Sequence, residues 1–175
     1  IDDLQDLAQA EAGRLQLDRQ PVSMKKAINH VVNSFRAQLE RNNIDVIKEF
    51  SKNSEEVFAD ASRLSQVLRN LLKNAITHTP RNGEIKISLK SNGEFQEVEV
   101  TDTGEGIPKE DLPYIFERFY RVDKSRARST GGTGLGLTIT KKIVQAHGGE
   151  ISAESKEGEG TTFSFTLPKY SSEVE

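Results

Sequence analysis

The sequence lacks several features that would assign it to a specialised class of protein. It has no cysteine, which excludes disulfides and thiolate metal sites and fits a reducing compartment. It has no apolar run that approaches the ~20 residues needed to span a bilayer. Its net charge is only −3, so no overall field draws the chain to nucleic acid or to a membrane surface. We therefore expect neither nucleic acid nor direct membrane contact among its partners.

The composition that remains is typical of a globular domain with a well-charged surface. The 175 residues are 34% hydrophobic and 29% charged, and this length suits one well-cored domain with little left for a second. Residues 1–16 have the pattern of the end of a helix followed by a linker, so we expect a longer helix that begins upstream of residue 1. The main domain is predicted to span 17–168, and 169–175 form a polar tail.

Hydrophobic periodicity predicts helices and strands along the main domain. Ser23 and Asp60 are typical caps at the start of two amphipathic helices, and Asn92-Gly93 marks a hairpin turn. The predicted helices cover 1–12, 24–41, 61–78 and 134–147, and the predicted strands cover 44–50, 85–89, 98–100, 151–155 and 162–167. This layout predicts a two-layer α/β sandwich, with about three helices on one face of a mixed, mostly antiparallel sheet.

The helix after Asp60 carries two asparagines at the edge of its apolar face. Asn70 and Asn74 are one turn apart, and His78 continues the same stripe. An amide oxygen is a neutral, hard ligand that suits Mg²⁺, and an amide nitrogen can bond a phosphate oxygen. The plainer interpretation is a solvated helix face, with His78 as a surface or capping residue.

The second strand of the hairpin ends in an aspartate and a glycine-rich turn. Asp102 lies on the same face of this strand as Val98 and Val100 because side chains alternate. A carboxylate accepts hydrogen bonds only, so it suits the exocyclic amine of adenine and would repel the carbonyl oxygen of guanine. Gly104 and Gly106 let the backbone turn with no side chain that would block a planar ring. The alternative is an aspartate that opens an ordinary turn.

Residues 103–132 are too long for a passive connector. Four basic residues lie between 121 and 128 and could contact a polyphosphate, although a solvated basic loop is the plainer interpretation. Phe116, Phe119 and Tyr120 are predicted to anchor this segment to the core. Glycines between 131 and 136 expose backbone N–H groups at the start of a helix. The run matches neither the P-loop nor the dinucleotide-binding motif, and the H-R-D and D-F-G motifs of eukaryotic-type protein kinases are missing.

Taken together, these segments resemble the catalytic ATP-binding domain of bacterial sensor histidine kinases, within the superfamily that includes gyrase and Hsp90. The resemblance covers about residues 20–168. The motifs of that family, in order, are the N box, the G1 box, the F box, the G2 box and the G3 element. They correspond here to Asn70–His78, Asp102–Ile107, Phe116–Arg121, Gly132–Leu137 and Gly158–Thr161.

The resemblance implies the Bergerat form of the α/β sandwich, with ATP and Mg²⁺ bound under a mobile lid. It implies that Asn70 holds Mg²⁺, that Asn74 reaches the phosphates and that Asp102 bonds the adenine amine. It makes Arg121 the expected γ-phosphate contact, with Lys124 as a second cation, and Arg121 and Asn70 the catalytic pair. The other ATP-site positions that it implies are His78, Gly104, Gly106, Ile107, Tyr120, Gly132, Thr133, Gly134, Leu135, Gly136 and Thr162.

The reaction implied by the resemblance is that of a protein-histidine kinase in a two-component system. The γ-phosphoryl group passes to a histidine on a dimerisation helix and then to an aspartate in the receiver domain of a response regulator. None of His30, His78 and His147 lies in the sequence context of such an acceptor, so we expect the acceptor upstream of residue 1. The isolated chain is then expected to bind ATP without autophosphorylation. The resemblance also implies a cytoplasmic domain of a membrane-anchored sensor.

Three alternatives remain open at the level of the sequence. An ATP-gated conformational ATPase of the Hsp90, gyrase or MutL type would use a carboxylate on the asparagine helix, where this chain carries Gln66 and Asn70. A serine kinase of the anti-sigma type would lack the Phe116–Arg121 element. A non-catalytic interaction domain could retain the fold alone. One departure from the kinase pattern is Thr77, which occupies a position that is often basic in the family, so the lid would have to supply that charge.

Overall fold

The structure is a computed structural model that describes residues 2–52, 54, 56–121 and 134–171. Within these residues the helices are α1 Asp2–Glu11, α2 Met24–Ser34, α3 Arg36–Arg41, α4 Ala61–His78 and α5 Gly136–Ala146, with a short 3₁₀ helix at Leu112–Tyr114. The strands are β1 Gln20–Val22, β2 Asp45–Phe50, β3 Val57–Ala59, β4 Glu84–Asn92, β5 Phe95–Asp102, β6 Ile151–Lys156 and β7 Gly160–Pro168.

Five of the strands form one mixed sheet in the order β2-β4-β5-β7-β6. Strand β2 pairs with β4 in parallel, whereas the other three pairs are antiparallel. The register sets Asp102, the last residue of β5, between Ile85 of β4 and Thr161 of β7. The predicted mixed, mostly antiparallel sheet is therefore confirmed, and it places an ionisable side chain at the end of a central strand.

The helices cover one face of this sheet. Helix α4 lies between α2 and α5 and contacts β5, because its apolar stripe faces the strands over nearly its whole length. The buried residues of α4 are Leu64, Val67, Leu68, Leu71, Leu72 and Ala75. Side chains of β5 and β7 alternate between buried and half-exposed, which defines a two-layer sandwich with a single core. Helix α1 packs against α5 and buries Leu7.

The predicted helix over 24–41 is wrong in one respect, because it is broken at Phe35. The side chain of Ser34 donates a hydrogen bond of 2.6 Å to the carbonyl of Val31, which is the acceptor that the next backbone N–H would need to continue the α-helix. The N–H of Phe35 instead bonds the carbonyl of Val32. Competition of this kind between a side chain and the helical ladder bends or ends a helix, and α3 then starts at Arg36.

A second difference from the expected layout is a small antiparallel sheet formed by β1 and β3. Each of these strands has three residues, which is too short to give a periodic signal in the sequence. In the part of the chain that the structure describes, no helix is both long and apolar enough to cross a membrane.

Candidate functional site

Asp102 is a buried carboxylate, and the protein forms hydrogen bonds to one of its two oxygens. Only 4% of the residue is exposed, and its Oδ1 accepts hydrogen bonds from the N–H of Gly104 at 2.9 Å and the N–H of Thr161 at 3.3 Å. Burial raises the pKa of this carboxyl, although these two bonds and the nearby His78 oppose the shift. None of the hydrogen bonds described for Asp102 uses Oδ2, so this oxygen is the one available to a ligand.

The turn after Asp102 requires glycine at two positions. A Cβ on Gly104 would lie 2.5 Å from the carbonyl oxygen of His78, so the turn can pack against the end of α4 only without a side chain. Gly106 has φ +77°, and a Cβ there would collide with the carbonyl of Lys156. The N–H of Ile107 then donates to Oγ of Ser155 at 2.7 Å. The turn is thus held against both α4 and β6.

The structure brings Thr161, rather than the predicted Thr162, together with Asp102. Thr161 is 6% exposed and faces the helices, and its Oγ1 lies 2.8 Å from Oγ of Ser155. Thr162 lies on the opposite face of β7, where its hydroxyl is 2.9 Å from that of Thr101. Sequence reasoning missed Thr161, although its alternation with buried Phe163 could have identified it as an inward-facing residue.

Helix α4 carries three of the predicted residues in a row along one side. Asn70, Asn74 and His78 are spaced by four residues, so the row extends over about 12 Å of helix. Asn70 faces the start of α5, where its Nδ2 donates to the carbonyl of Gly136 at 3.3 Å and to Oγ1 of Thr140 at 3.1 Å. His78 lies at the other end, beside the aspartate turn. The row therefore connects the two glycine-rich elements.

The other side chains of this row differ in exposure. Asn74 is half-buried. His78 is half-exposed, and its Nδ1 lies 3.6 Å from a carboxylate oxygen of Glu105. Thr77 is exposed, and its hydroxyl donates to the carbonyl of Lys73 at 2.8 Å. The hydroxyl at this often basic position therefore bonds back to its own helix.

The segment that ends at Arg121 is attached to the core through Phe116. The ring of Phe116 meets that of Phe163 edge-on at 6.1 Å, and its carbonyl accepts a hydrogen bond from the buried Thr138 hydroxyl at 2.9 Å. The prediction that Phe119 is also an anchor is wrong, because Phe119 is 58% exposed and has φ +60°. Tyr120 donates a hydrogen bond to Asp111, which raises the pKa of its hydroxyl to about 12.

The described end of the glycine run packs against this segment. Gly134 has φ +77°, and a Cβ there would lie 2.8 Å from Cα of Phe119. Its carbonyl accepts a hydrogen bond of 2.9 Å from the N–H of Phe119. The same hypothetical Cβ lies 3.4 Å from Nε of Arg121, so this guanidinium group is beside the glycines. Leu135 is buried, and α5 begins at Gly136.

Three of the predicted positions, Lys124, Gly132 and Thr133, lie outside the described residues. The described ones form two groups joined by α4. Asp102, Gly104, Gly106 and Ile107 lie at the His78 end of the row, and Arg121, Gly134, Leu135 and Gly136 lie at the Asn70 end. Within the described part of the chain, no cluster of three or more His, Asp or Glu side chains could hold a metal ion. A Mg²⁺ ion bound by one or two protein oxygens and by substrate phosphates does not need such a cluster.

The structure thus arranges a buried carboxylate with one open oxygen, a row of asparagines and the start of α5 along helix α4. The family model described as "Histidine kinase-, DNA gyrase B-, and HSP90-like ATPase" matches residues 59–171. The chain belongs to this family of ATPase-like domains. The match begins just before α4 and ends after β7, so it includes every element that carries a predicted site residue.

Two similar curated proteins are histidine kinases. The sensor histidine kinase WalK of Bacillus subtilis (strain 168) is 39% identical over 170 residues, which are 96% of this chain and 28% of WalK. The circadian input-output histidine kinase CikA of Synechococcus elongatus is 37% identical over 171 residues, which are 97% of this chain and 23% of CikA. The chain thus spans about a quarter of the length of these curated relatives.

Several solved structures are also similar to this chain. The catalytic domain of histidine kinase ThkA is 35% identical and has a TM-score of 0.77, and the match covers 87% of this chain and 96% of that one. Full-length ShkA in complex with AMPPNP is 26% identical with a TM-score of 0.85, and the match covers 98% of this chain and 35% of ShkA. ThkA in complex with the response regulator protein TrrA is 30% identical with a TM-score of 0.75, over 97% and 48% of the two chains.

Proposed function

We propose that this chain is the ATP-binding catalytic domain of a two-component sensor histidine kinase. It would hold ATP and Mg²⁺ so that the γ-phosphoryl group can pass to a histidine outside these 175 residues. The observation that carries the proposal is the arrangement of three groups along α4. The open carboxylate oxygen of Asp102 lies at one end of the helix, the asparagine row follows, and the N-terminus of α5 at Gly136 lies at the other end. The family match and the similarity to histidine kinase catalytic domains support it.

Asp102 would recognise the base. Its Oδ1 is held by two backbone N–H groups, so Oδ2 would accept the hydrogen bond from the adenine amine. Guanine presents a carbonyl oxygen at the equivalent position and would be repelled by the ionised carboxylate. Gly104 and Gly106 leave space for the ring, and His78, Ile107, Tyr120 and Thr162 are the other proposed contacts around the nucleoside. Thr161 is better placed than Thr162, because it lies on the Asp102 side of β7.

Asn70 and the glycine end of the row would bind the triphosphate and its metal. The Nδ2 of Asn70 is engaged with α5, which leaves Oδ1 as a hard oxygen ligand for Mg²⁺. Asn74 would contact phosphate oxygens, and the N–H groups of Gly134, Leu135 and Gly136 would meet them at the positive end of α5. Arg121 would face the γ-phosphate. Lys124, Gly132 and Thr133 are proposed to complete the site from the lid.

The residues of this chain would contribute position and charge rather than covalent chemistry. Phosphoryl transfer depends mainly on alignment and on stabilisation of charge by groups such as Arg121. The Mg²⁺ ion, when bound, neutralises phosphate charge. The histidines of the chain do not suit the acceptor role. His30 and His78 are exposed, but neither lies in the sequence context of an acceptor. Both ring nitrogens of buried His147 are hydrogen-bonded.

The proposed partners follow from the proposal that this chain positions ATP and that another domain supplies the acceptor histidine. They are a dimerisation and phosphoacceptor domain of the same protein, which supplies the histidine, and the receiver domain of a response regulator. The complex of ThkA with TrrA is an example of the second kind of partner in a similar protein. We also propose that the chain lies in the cytoplasm as part of a membrane-anchored sensor.

A conformational ATPase is the main competing function within this family. Such an enzyme would need a carboxylate on α4 to activate water. Gln66 stands one turn before Asn70, and its Nε2 donates to Oδ2 of Asp6 at 3.0 Å. Asp6 is itself paired with Arg63 at 3.2 Å, so its carboxylate is already neutralised. Steady-state hydrolysis of ATP by the chain alone, at rates well above the buffer blank, would favour this competitor.

Nucleotide binding is tested by calorimetry with AMPPNP and Mg²⁺. Asp102→Asn presents an amide that can place a donor against the adenine amine, and the loss of a hydrogen bond to a charged acceptor should weaken binding by about tenfold or more. Asp45→Asn makes the same chemical change at an exposed residue of β2 and should leave the affinity unchanged. Equal affinities for Asp102→Asn and wild type would remove Asp102 from the site.

The reaction is tested with γ-labelled ATP. The chain alone should remain unlabelled, whereas a separately produced dimerisation domain with an acceptor histidine should become labelled when the chain is added. The label should be acid-labile and base-stable, as expected for a phosphohistidine. Stable label on the chain itself would show that the acceptor lies within these residues, contrary to the proposal.

A further inference from the structure

One turn after the start of α5 lies a buried threonine that is not itself one of the proposed nucleotide contacts. Thr140 has 0% exposure. Its Oγ1 donates to the carbonyl of Gly136 at 2.8 Å and accepts from Nδ2 of Asn70 at 3.1 Å. The same Nδ2 also donates to the carbonyl of Gly136 at 3.3 Å. Thr140, Gly136 and Asn70 thus form a closed triangle between α5 and α4.

This triangle determines which way the Asn70 amide points. A threonine hydroxyl has one hydrogen, and here that hydrogen goes to the carbonyl of Gly136. The hydroxyl can then only accept from Asn70, and the carbonyl of Gly136 is an acceptor by nature. Both groups that face the amide are therefore acceptors, and only the NH₂ half of Asn70 can be directed at them. The carbonyl half, Oδ1, must point away from α5.

We propose that Thr140 is a positioning residue that fixes the Asn70 amide so that its Oδ1 is presented to the divalent cation of the bound nucleotide. This inference rests on the proposed function, because it assigns Asn70 to the metal. Without the hydroxyl, the amide keeps one acceptor instead of two, and the flipped orientation becomes accessible. The metal-dependent part of nucleotide affinity should fall, whereas the metal-free part, which depends on Asp102 and the glycines, should not.

The test is the ratio of AMPPNP affinities measured by calorimetry with Mg²⁺ and with EDTA. Wild type should bind more tightly with Mg²⁺. Thr140→Val keeps the shape but removes the hydroxyl, and it should reduce this ratio by roughly 2- to 10-fold, the equivalent of one neutral hydrogen bond. Thr140→Ser retains the hydroxyl and should restore the wild-type ratio. Asn70→Ala should abolish the Mg²⁺-dependent tightening.

Thr138→Val is the matched control. Thr138 is also a buried threonine near the start of α5, with 6% exposure, but its hydroxyl donates to the carbonyl of Phe116 and does not contact Asn70. Both valine variants lose one buried hydroxyl, so both should lose similar stability towards urea. Only Thr140→Val should change the Mg²⁺ ratio. A similar fall in Thr138→Val would assign the effect to general loosening of α5 and would overturn the inference.

A second measurement does not depend on the folding of any variant. In the wild-type protein, the side-chain amide protons of Asn70 should exchange with water more slowly in NMR spectra than those of exposed Asn33, because the NH₂ group of Asn70 is held by two acceptors. Fast exchange would contradict the triangle. Absence of AMPPNP binding by wild type would refute the proposed function and this inference together. Binding with a Mg²⁺ ratio that Thr140→Val leaves intact would refute this inference alone.

Discussion

Stability below pH 6.5 should depend on one buried histidine. His147 is 1% exposed, at the end of α5. Its Nδ1 lies 2.8 Å from the carbonyl of Ile143, and its Nε2 accepts a hydrogen bond of 3.1 Å from the N–H of Asp60, the residue that caps α4. This pattern requires a proton on Nδ1 and none on Nε2. The ring must therefore be neutral to connect the two helices.

The environment of His147 lowers its pKa. Burial is the largest cause, and the positive charge of Arg19 adds to it, while the bond to Ile143 and the carboxylate of Asp60 oppose it. In the unfolded chain this histidine titrates near the ordinary value of about 6.5. As the pH falls below that value, the unfolded state takes up a proton that the folded state refuses, so unfolding becomes more favourable. The free energy of unfolding should fall by up to about 1.4 kcal/mol per pH unit in this window.

His147→Leu isolates the contribution of this ring to the free energy of unfolding and to its pH dependence. Leucine fills a similar volume, but it leaves the N–H of Asp60 without its acceptor, which should cost about 1–3 kcal/mol at pH 8. The variant has no group to protonate at this position, so the slope between pH 6.5 and 5.5 should be smaller by up to about 1.4 kcal/mol per pH unit. Both quantities come from urea unfolding followed by circular dichroism at several pH values.

His30→Leu is the control for this experiment. His30 is exposed on α2, so its replacement should change the free energy of unfolding by no more than about 0.5 kcal/mol. The reasoning would be refuted if His147→Leu unfolded with the same pH slope as wild type. It would also be refuted if the variant were as stable as wild type at pH 8, because the Asp60 N–H would then not depend on the ring.

Four further substitutions test the elements that support the site. Gly104→Ala should destabilise the fold and weaken AMPPNP binding, because its Cβ would lie 2.5 Å from the carbonyl oxygen of His78. Gly136→Ala should retain wild-type stability in urea, because the atom nearest to its Cβ would be Cγ of Asn70 at 4.0 Å. Asp60→Ala should lower the free energy of unfolding by about 0.5–2 kcal/mol in thermal or urea unfolding, because the carboxylate of Asp60 accepts hydrogen bonds from the backbone N–H groups of Arg63 and Asp18. Arg118→Ala should cost less than about 1 kcal/mol, because the Glu11–Arg118 pair is largely exposed, and a larger loss would mean that α1 depends on this pair.

The parts of the fold that could be predicted from the sequence are those with strong local signals. Helix α4 begins after Asp60 and ends at His78, as the cap and the Thr79-Pro80 pair predict. The β4–β5 hairpin follows from alternation and from Asn92-Gly93. The break at Phe35 could not be predicted, because it depends on which of two donors takes the carbonyl of Val31.

Side-chain partners distant in sequence were beyond sequence reasoning. The contact of Asn70 with Thr140 joins residues 70 positions apart, and nothing near either residue indicates it. The choice between Thr161 and Thr162 is different, because strand alternation alone places Thr161 with Phe163 on the inner face. The exposure of Phe119 also has no local signal, since an aromatic residue in a loop is equally compatible with an anchor.

Asp102 and His147, the two buried ionisable residues among those that the structure describes, illustrate how a structural group differs from a binding group. Every ring nitrogen of His147 is used by the protein, so its burial is compensated and has no atom left for a ligand. Asp102 is buried to a similar degree, yet its described bonds all go to Oδ1. A carboxylate with one open oxygen and a pKa raised by burial is costly to the apo protein. A donor that reached Oδ2 would lower that cost, and nucleotide binding should therefore lower the pKa of Asp102 relative to the apo protein.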